Sequence, residues 1–454
     1  MYRKILIFFS VFLLSFASNG QTRKTINLDE AIKIALESNI SVQQSRNSVE
    51  AQKSAKLPAI GSLLPSLNAS GGFQRTQNWR PATGATQQYI PNYGVIEIPG
   101  SSGYSGTNSY NGSLSSSITL FNGFANIANI NRTEANLKSA EFTFNRTKET
   151  IIFQTHQLFL NVVRTFQLLN VNEENLKRSR RQLERIEETN RVGLASLADV
   201  YRQRVATGND ELSLINSQNN YEKAKTDLLI FLSIDDLNEY DFDISSVPIS
   251  IDTTELNLLK EQYKIFDKLV KQAMQNRSDY FAAVQNQNSA KNNITIARAG
   301  VYPSLYGNAS YGVNNKEFSK IRDNKTFNLG LSVSLPIFSG FQTKNAIEQA
   351  KIAQMNSELQ LNQIKRQIVA DIQKALLDLE AIEKQLKVTQ ASVYSAEMDR
   401  KIAEEKYNLG AGTLLDLLIA NTNFINAQSN NVNAIIGYLL AKKQMDFVLG
   451  NIAN

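Results

Sequence analysis

From Thr326 to Ile337 apolar and small polar residues alternate without a break. Phe327, Leu329, Leu331, Val333, Leu335 and Ile337 share one parity, and Asn328, Gly330, Ser332 and Ser334 the other. A period of two puts the two sets on opposite faces of a strand. Tyr110, Leu114, Ile118 and Leu120 repeat the pattern against Ser109, Asn111, Ser113, Ser115, Ser117 and Thr119. Two weaker runs, Leu67, Ala69, Gly71, Phe73 and Leu305, Gly307, Ala309, Tyr311, Val313, complete a set of four strands expected near 64–78, 109–121, 302–314 and 326–338.

Each run is about as long as a tilted strand must be to cross a bilayer core. A polar face of small uncharged residues suits the wall of a watery lumen, and the apolar face suits lipid. In water a hairpin of this kind is marginal without a partner sheet, and the sequence offers none. In lipid the sheet must close, because an open edge leaves backbone groups unpaired. Four strands cannot close a barrel. Two chains would give eight strands and an interior filled by side chains, whereas three give twelve and leave room for a pore. Three or more copies are therefore expected.

The second periodicity is helical. All eight prolines lie at 58, 65, 81, 91, 99, 248, 303 and 336, so 100–247 and 337–454 can be helical for great lengths. Phe144, Ile151, Leu158, Val162, Phe166, Leu169, Leu176, Leu183 and Ile186 step along one seam, and Ile364, Ile368, Ile372, Ala375, Leu379, Ile382, Leu386 and Val393 along another. Helices are expected over 125–191 and 341–408, followed by helices over 196–232 and 413–449. A helix of this size reaches on the order of 100 Å. The helices alone fit a coiled-coil spacer equally well, and the strands decide against it.

The chain also repeats itself. Pro65-Ser66-Leu67 recurs as Pro303-Ser304-Leu305 and Ala35–Asn39 is echoed by Ala273–Arg277, both at an offset of 238. Phe121-Asn122-Gly123-Phe124 recurs as Phe338-Ser339-Gly340-Phe341, and Val192-Gly193-Leu194 with Asp199 as Leu409-Gly410-Ala411 with Asp416, both at an offset of 217. Constant offsets mean that the long helices match without insertion and that the difference falls in the hairpin loops. Two repeats, 21–232 and 259–450, are expected, joined by a solvated linker over 233–258. The linker's acids (Asp235, Asp236, Glu239, Asp241, Asp243) lack the glycine and closing glutamate of a calcium loop.

Composition narrows the setting. Arg3 and Lys4, an apolar run from Ile5 to Phe16 and small residues at Ala17, Ser18 and Gly20 form a secretory leader over 1–20, too short to span a bilayer as a helix. No cysteine is present, so neither a disulfide nor a lipid anchor on cysteine is available. The net charge of +6 falls to +4 once Arg3 and Lys4 leave, and acids are interleaved with the bases, which is no footprint for nucleic acid. The single histidine, His156, has no partner at ligand spacing and reads as an ordinary helix residue. There is no Walker loop, G-x-S-x-G or H-E-x-x-H. No catalytic site, metal or cofactor is expected. The stretch from Arg80 to Asn108 reads as an extracellular loop, with Trp79, Tyr89, Tyr93 and Tyr104 as candidates for the membrane interface.

The duplicated half, the joints LFNGF (Leu120–Phe124) and IFSGF (Ile337–Phe341), and the turns RVGLASLADV (Arg191–Val200) and KYNLGAGTLLDLL (Lys406–Leu418) together resemble the TolC-like outer membrane efflux protein family, the outer membrane factors. The resemblance covers essentially all of the expected mature chain. It implies a homotrimer in the outer membrane of a Gram-negative bacterium. Its twelve-stranded barrel, four strands per chain, would continue into a periplasmic α-helical barrel that meets a periplasmic adaptor (membrane fusion) protein of an inner-membrane pump. The function implied is that of a passive exit duct in an efflux or type I secretion system. The rival reading is a periplasmic or surface coiled-coil adaptor or adhesin.

A long helix must reverse at Gly193 and at Gly410, with Ser196 and Thr413 placed to cap the helices that follow. By resemblance, Val192, Gly193, Leu194, Leu409, Gly410 and Ala411 contact the adaptor, and Tyr407, Asp416 and Asp199 match residues that hold the tip closed. Gly412 stands where relatives often carry arginine and Ile419 where a second acid often follows, so a weaker or differently latched gate is expected. Three copies of Asp416 around one axis would favour cations.

Overall fold

The computed structural model describes residues 24–79, 81, 83–100, 103–235, 240–245, 247, 251, 263 and 265–452. The leader expected at 1–20 and much of the linker expected at 233–258 lie outside the described residues. The chain runs through strand β1 (Lys24–Ile26), helices α1 (Leu28–Ser38) and α2 (Ile40–Gly61), strands β2 (Ser66–Trp79), β3 (Thr86–Ile90), β4 (Gly94–Ile98) and β5 (Tyr104–Asn122), and helices α3 (Ala125–Arg191) and α4 (Leu197–Phe231). It continues through β6 (Tyr240–Phe242), α5 (Phe266–Asn276), α6 (Ser278–Arg298), β7 (Ser304–Asn315), β8 (Lys325–Ser334), α7 (Gln342–Asn408) and α8 (Leu414–Leu449). Two compact units emerge, one of Gln44–Arg146 with Arg277–Gln367, the other of the chain up to Gln43, Thr147–Asn276 and the chain from Ile368.

The first unit holds an antiparallel sheet in the order β2-β5-β7-β8. Its registers keep the apolar parity on one face as far as a bulge between Thr119 and Phe121 of β5: Phe73 sits opposite Tyr110, Leu114 opposite Tyr311, Tyr311 opposite Phe327, and Gly307 between Ile118 and Leu331. The other face carries Ser70 opposite Ser113, Ser115 opposite Ser310 and Ser310 opposite Asn328. Hydroxyls bridge it, with 2.7 Å between the Oγ atoms of Ser70 and Ser113. β8 stops at Ser334, short of the predicted 338, because Pro336 offers no N–H to the ladder. β5 begins at Tyr104, earlier than the predicted 109, and lengthens the hairpin with β2 as far as the Trp79–Tyr104 pair, whose rings lie 4.9 Å apart. Between these strands the expected loop contains a hairpin, β3 with β4.

Both strand-to-helix joints are built alike. Gly123 and Phe124, and likewise Gly340 and Phe341, adopt consecutive left-handed conformations, with φ of 63°, 67°, 56° and 63°. Such a conformation costs a residue with a side chain about 1–2 kcal/mol. Each phenylalanine recovers part of this in an edge-on ring contact, Phe121 with Phe124 at 5.3 Å and Phe338 with Phe341 at 5.7 Å. Contacts of that kind are worth about 0.5–1.5 kcal/mol.

The second unit is a packed helical assembly. Val162, Ile186, Ile368, Ile372 and Leu386, on the expected seams, are fully buried, and so are Phe159 and Met445, which lie on neither seam. Phe153 stacks on Phe447 at 4.9 Å. The stretch expected to be an irregular solvated linker instead supplies β6, which pairs in parallel with β1, and buries Phe242, Val247 and Ile251. Phe242 meets the edge of Phe159 at 6.0 Å. His156 is buried in this unit with Nδ1 2.9 Å from the Ile152 carbonyl, and burial pushes its imidazole down. No helix of the described residues is long and apolar enough to cross a membrane.

Candidate functional site

The two long helices, α3 and α7, end in the same device. At the first turn Gly193 has a φ of 79°, its N–H donates to the Asn190 carbonyl at 2.9 Å, and the Leu194 N–H donates to the Thr189 carbonyl at 2.9 Å. At the second, Gly410 has a φ of 71°, donates to the Tyr407 carbonyl at 3.1 Å, and the Ala411 N–H reaches the Lys406 carbonyl at 2.8 Å. This pair of bonds across a left-handed residue closes a helix by satisfying its last carbonyls. Open space surrounds both glycines, so backbone conformation alone requires them.

The next helices start at once. Ser196 Oγ accepts from the Asp199 N–H at 3.1 Å and donates to Asp199 Oδ2 at 2.7 Å. Thr413 Oγ1 accepts from the Asp416 N–H at 3.2 Å, while the Thr413 N–H donates to Asp416 Oδ2 at 3.1 Å. Asp416 is therefore the reciprocal partner of a capping box. Thr413 and, more weakly, the charge of Lys406 hold its exposed carboxyl below the usual carboxylate range.

The structure separates the expected gate residues into two settings. Tyr407 packs against the buried cluster of Ile186, Val200 and Leu414, and burial, then the charge of Asp199, push its phenol up. Asp199 also pairs with Arg202 at 3.1 Å. Asp416 instead faces a cavity of about 330 Å3 that Asp399, Ile402, Lys406, Gly412 and Ile419 also line. Among the described residues neither Tyr407 nor Asp199 bonds to Asp416. A β-carbon at Gly412 would lie 3.0 Å from Cβ of Lys406, a tight contact that a larger residue there relieves only by shifting Lys406. Sequence reading missed Lys406 as a neighbour of Asp416 and Leu414 as the floor under Tyr407. Both follow from the tight reversal, which brings residues on either side of Gly410 together.

Val192, Leu194 and Leu409 remain 68%, 81% and 79% exposed, and Gly193, Gly410 and Ala411 are exposed beside them. Each turn thus closes its own hydrogen bonds while presenting a bare apolar residue to solvent. Among the described residues no group of three or more His, Cys, Asp or Glu could hold a metal ion.

Paired long helices ending in apolar turns, together with a sheet bearing one lipid-like face, define a protein of the outer-membrane channel class. The family model for the outer membrane efflux protein matches residues 31–231 and 269–451, and the chain belongs to that family. The outer membrane protein TolC of Escherichia coli is 22% identical over 441 residues, covering 93% of this chain and 85% of the relative. The pyoverdine export outer membrane protein OpmQ of Pseudomonas aeruginosa is 24% identical over 409 residues, covering 88% and 80%. Two solved structures share the fold. The outer membrane protein VceC of Vibrio cholerae has a TM-score of 0.75 at 17% identity, covering 93% of this chain and 96% of that one. CusC has a TM-score of 0.77 at 16% identity, covering 94% and 93%. The family is one of outer-membrane channels rather than enzymes, and the adaptor or adhesin reading is left without support.

Proposed function

We propose that this chain is one of three identical subunits of an exit duct in the outer membrane, serving an efflux or type I secretion system. The observation that carries the reading is the sheet: Leu67, Phe327, Leu329, Leu331 and Val333 are 68–78% exposed on one face, opposite a face of serine, threonine and asparagine. A contiguous apolar face of that kind marks a surface that water does not cover. Lipid is the covering that also explains the length of the strands and the Trp79–Tyr104 pair at their loop-side end, where aromatic girdles sit.

β2 and β8 each have one unpaired edge among the described residues. In lipid those edges must be met, and edges of neighbouring copies meet them if three sheets close into twelve strands. The duplicated half is supported by α3 and α7, each of 67 residues and displaced by the same offset as the joint and tip motifs. Val192, Gly193, Leu194, Leu409, Gly410 and Ala411 are the docking points for a periplasmic adaptor protein of an inner-membrane pump, which supplies the energy. Asp416, Tyr407 and Asp199 form the gate, and its two separate settings fit the weaker latch that Gly412 and Ile419 imply.

Carbonate extraction of separated membranes tests this reading. The chain should remain with the outer membrane after high-pH and high-salt washing. Release into the wash would overturn it.

A further inference from the structure

Away from the tip turns, the helical unit holds a cluster of arginines that docking and gating do not use. Arg178, Arg181 and Arg185 follow one another at spacings of three and four on α3, which puts them on one face. With Gln182, and with Arg400 and Glu404 of α7, they line a cavity of about 280 Å3. Four guanidinium groups against one carboxylate leave these walls at +3. The carboxylate is already engaged, since Arg400 Nη1 donates to Glu404 Oε2 at 2.9 Å. Arg185 donates to Asn408 Oδ1 at 2.8 Å.

Among the described residues three donors have no acceptor: Arg178 Nη2, Arg400 Nε and Gln182 Nε2 are buried without a hydrogen-bond partner, and the Arg400 side chain is only 16% exposed. Arg178 and Arg400 also lie over the same ring, with their guanidinium carbons 5.7 and 5.3 Å from the centroid of Phe424. Burial, then the charge of Arg400, push the Arg178 guanidinium down, against the opposing charges of Glu174 and Asp210. Like charges gathered around one aromatic ring with donors left over are unfavourable unless something negative sits among them.

We infer that this cavity is a binding site for a small, multiply charged oxyanion of the phosphate class, held by Arg178, Gln182 and Arg400, with Arg181 and Arg185 supplying the surrounding positive field. Guanidinium forks match the oxygens of such an anion and accept it from several directions. The cavity has room for a tetrahedral anion. Because the donors come from α3 and α7, occupancy ties the two helices together just above the tip and stabilises that arrangement by mass action.

The test uses the full-length detergent-solubilised protein, with inorganic phosphate as the probe and potassium chloride matched for ionic strength. Calorimetry should show saturable phosphate binding, and the Tm should rise with phosphate but not with chloride. Arg400→Gln should weaken binding at least tenfold, and Gln182→Met, which keeps every charge, several-fold. If Arg400→Gln fails to fold, Gln182→Met decides. Absence of saturable binding, or equal binding by Gln182→Met and the parent, would overturn the inference. So would a phosphate-insensitive protein whose oligomer dissociates on Arg400→Gln, since a carboxylate from a second copy would then occupy the cavity.

Discussion

Replacing Leu194 by serine separates stability from docking. The side chain is 81% exposed at the apex of the first turn, and the two bonds that close α3 there are made by backbone atoms that the substitution leaves in place. The folded chain therefore loses little, within about 0.5 kcal/mol as for other exposed positions. If an adaptor covers the turn, the same leucine passes from solvent to a buried interface, a transfer worth about 1.5–3 kcal/mol. At about 1.4 kcal/mol per factor of ten, each docking site weakens by roughly 10- to 150-fold. Leu409, 79% exposed on the second turn, should behave alike, and the double variant should be worse than either. The assay is retention of a fluorescent efflux substrate by cells whose only copy carries the substitution, alongside the amount of oligomer recovered from their outer membranes. Normal export by Leu194→Ser and Leu409→Ser together would refute the docking argument. Loss of export accompanied by loss of the oligomer would refute the claim that these residues are dispensable for folding.

Other positions give equally definite outcomes. A β-carbon at Gly123 would meet Cβ of Tyr302 at 2.9 Å and the Ala299 backbone at 3.0 Å, whereas Gly340 faces open space. Gly340→Ala should thus cost only the conformational penalty of about 1–2 kcal/mol, and Gly123→Ala about 2–5 kcal/mol, read as the thermal stability of the extracted oligomer. Equal effects would be inconsistent with the joint geometry. Ile372→Ala empties a fully buried position on α7 and should destabilise by about 2–5 kcal/mol in the same measurement. The Asp416 carboxyl is held low by Thr413, so its contribution to the second turn is present above the unfolded value of about 3.9 and is lost as pH falls through the lower folded value. Amide protection at Asp416 and Leu417 should hold from neutral pH to about 5 and decline below about 4. Thr413→Val removes the hydroxyl but keeps the backbone N–H bond to Asp416, so it should show a shallower decline. Asp416→Ala should reduce cation selectivity in bilayers, and an unchanged reversal potential would count against three such acids on one axis.

Much of the fold was legible because its constraints are periodic. Strand parity survives pairing, so Phe327, Tyr311 and Leu114 could be assigned to one face before their register was known. The long helices were bounded by proline, and the tips by Gly193 and Gly410. What the sequence concealed depends on partners remote in the chain. Nothing local marks Tyr240–Phe242 as a strand, since its pairing with Lys24–Ile26 is made across the first repeat. The hairpin of β3 and β4 turns through Asn92 and Gly94, both left-handed, yet its five-residue strands alternate too weakly to be told from a loop. Within the candidate site, the turn residues and their caps could be read directly. The division of Tyr407 and Asp416 between a buried apolar cluster and a cavity could not, because each depends on which helix lies alongside. The arginines on α3 were hidden in the same way: Glu174 precedes them and Glu184 falls between Arg181 and Arg185 in sequence, and Arg400 joins them only in the fold.

If the duct forms only from three copies, the native mass of the detergent-solubilised protein shows it. A single species of three chains should be recovered from the outer membrane and preserved on cross-linking. A monomer or dimer recovered from the soluble fraction would contradict the shared barrel and leave the apolar face of the sheet without a covering.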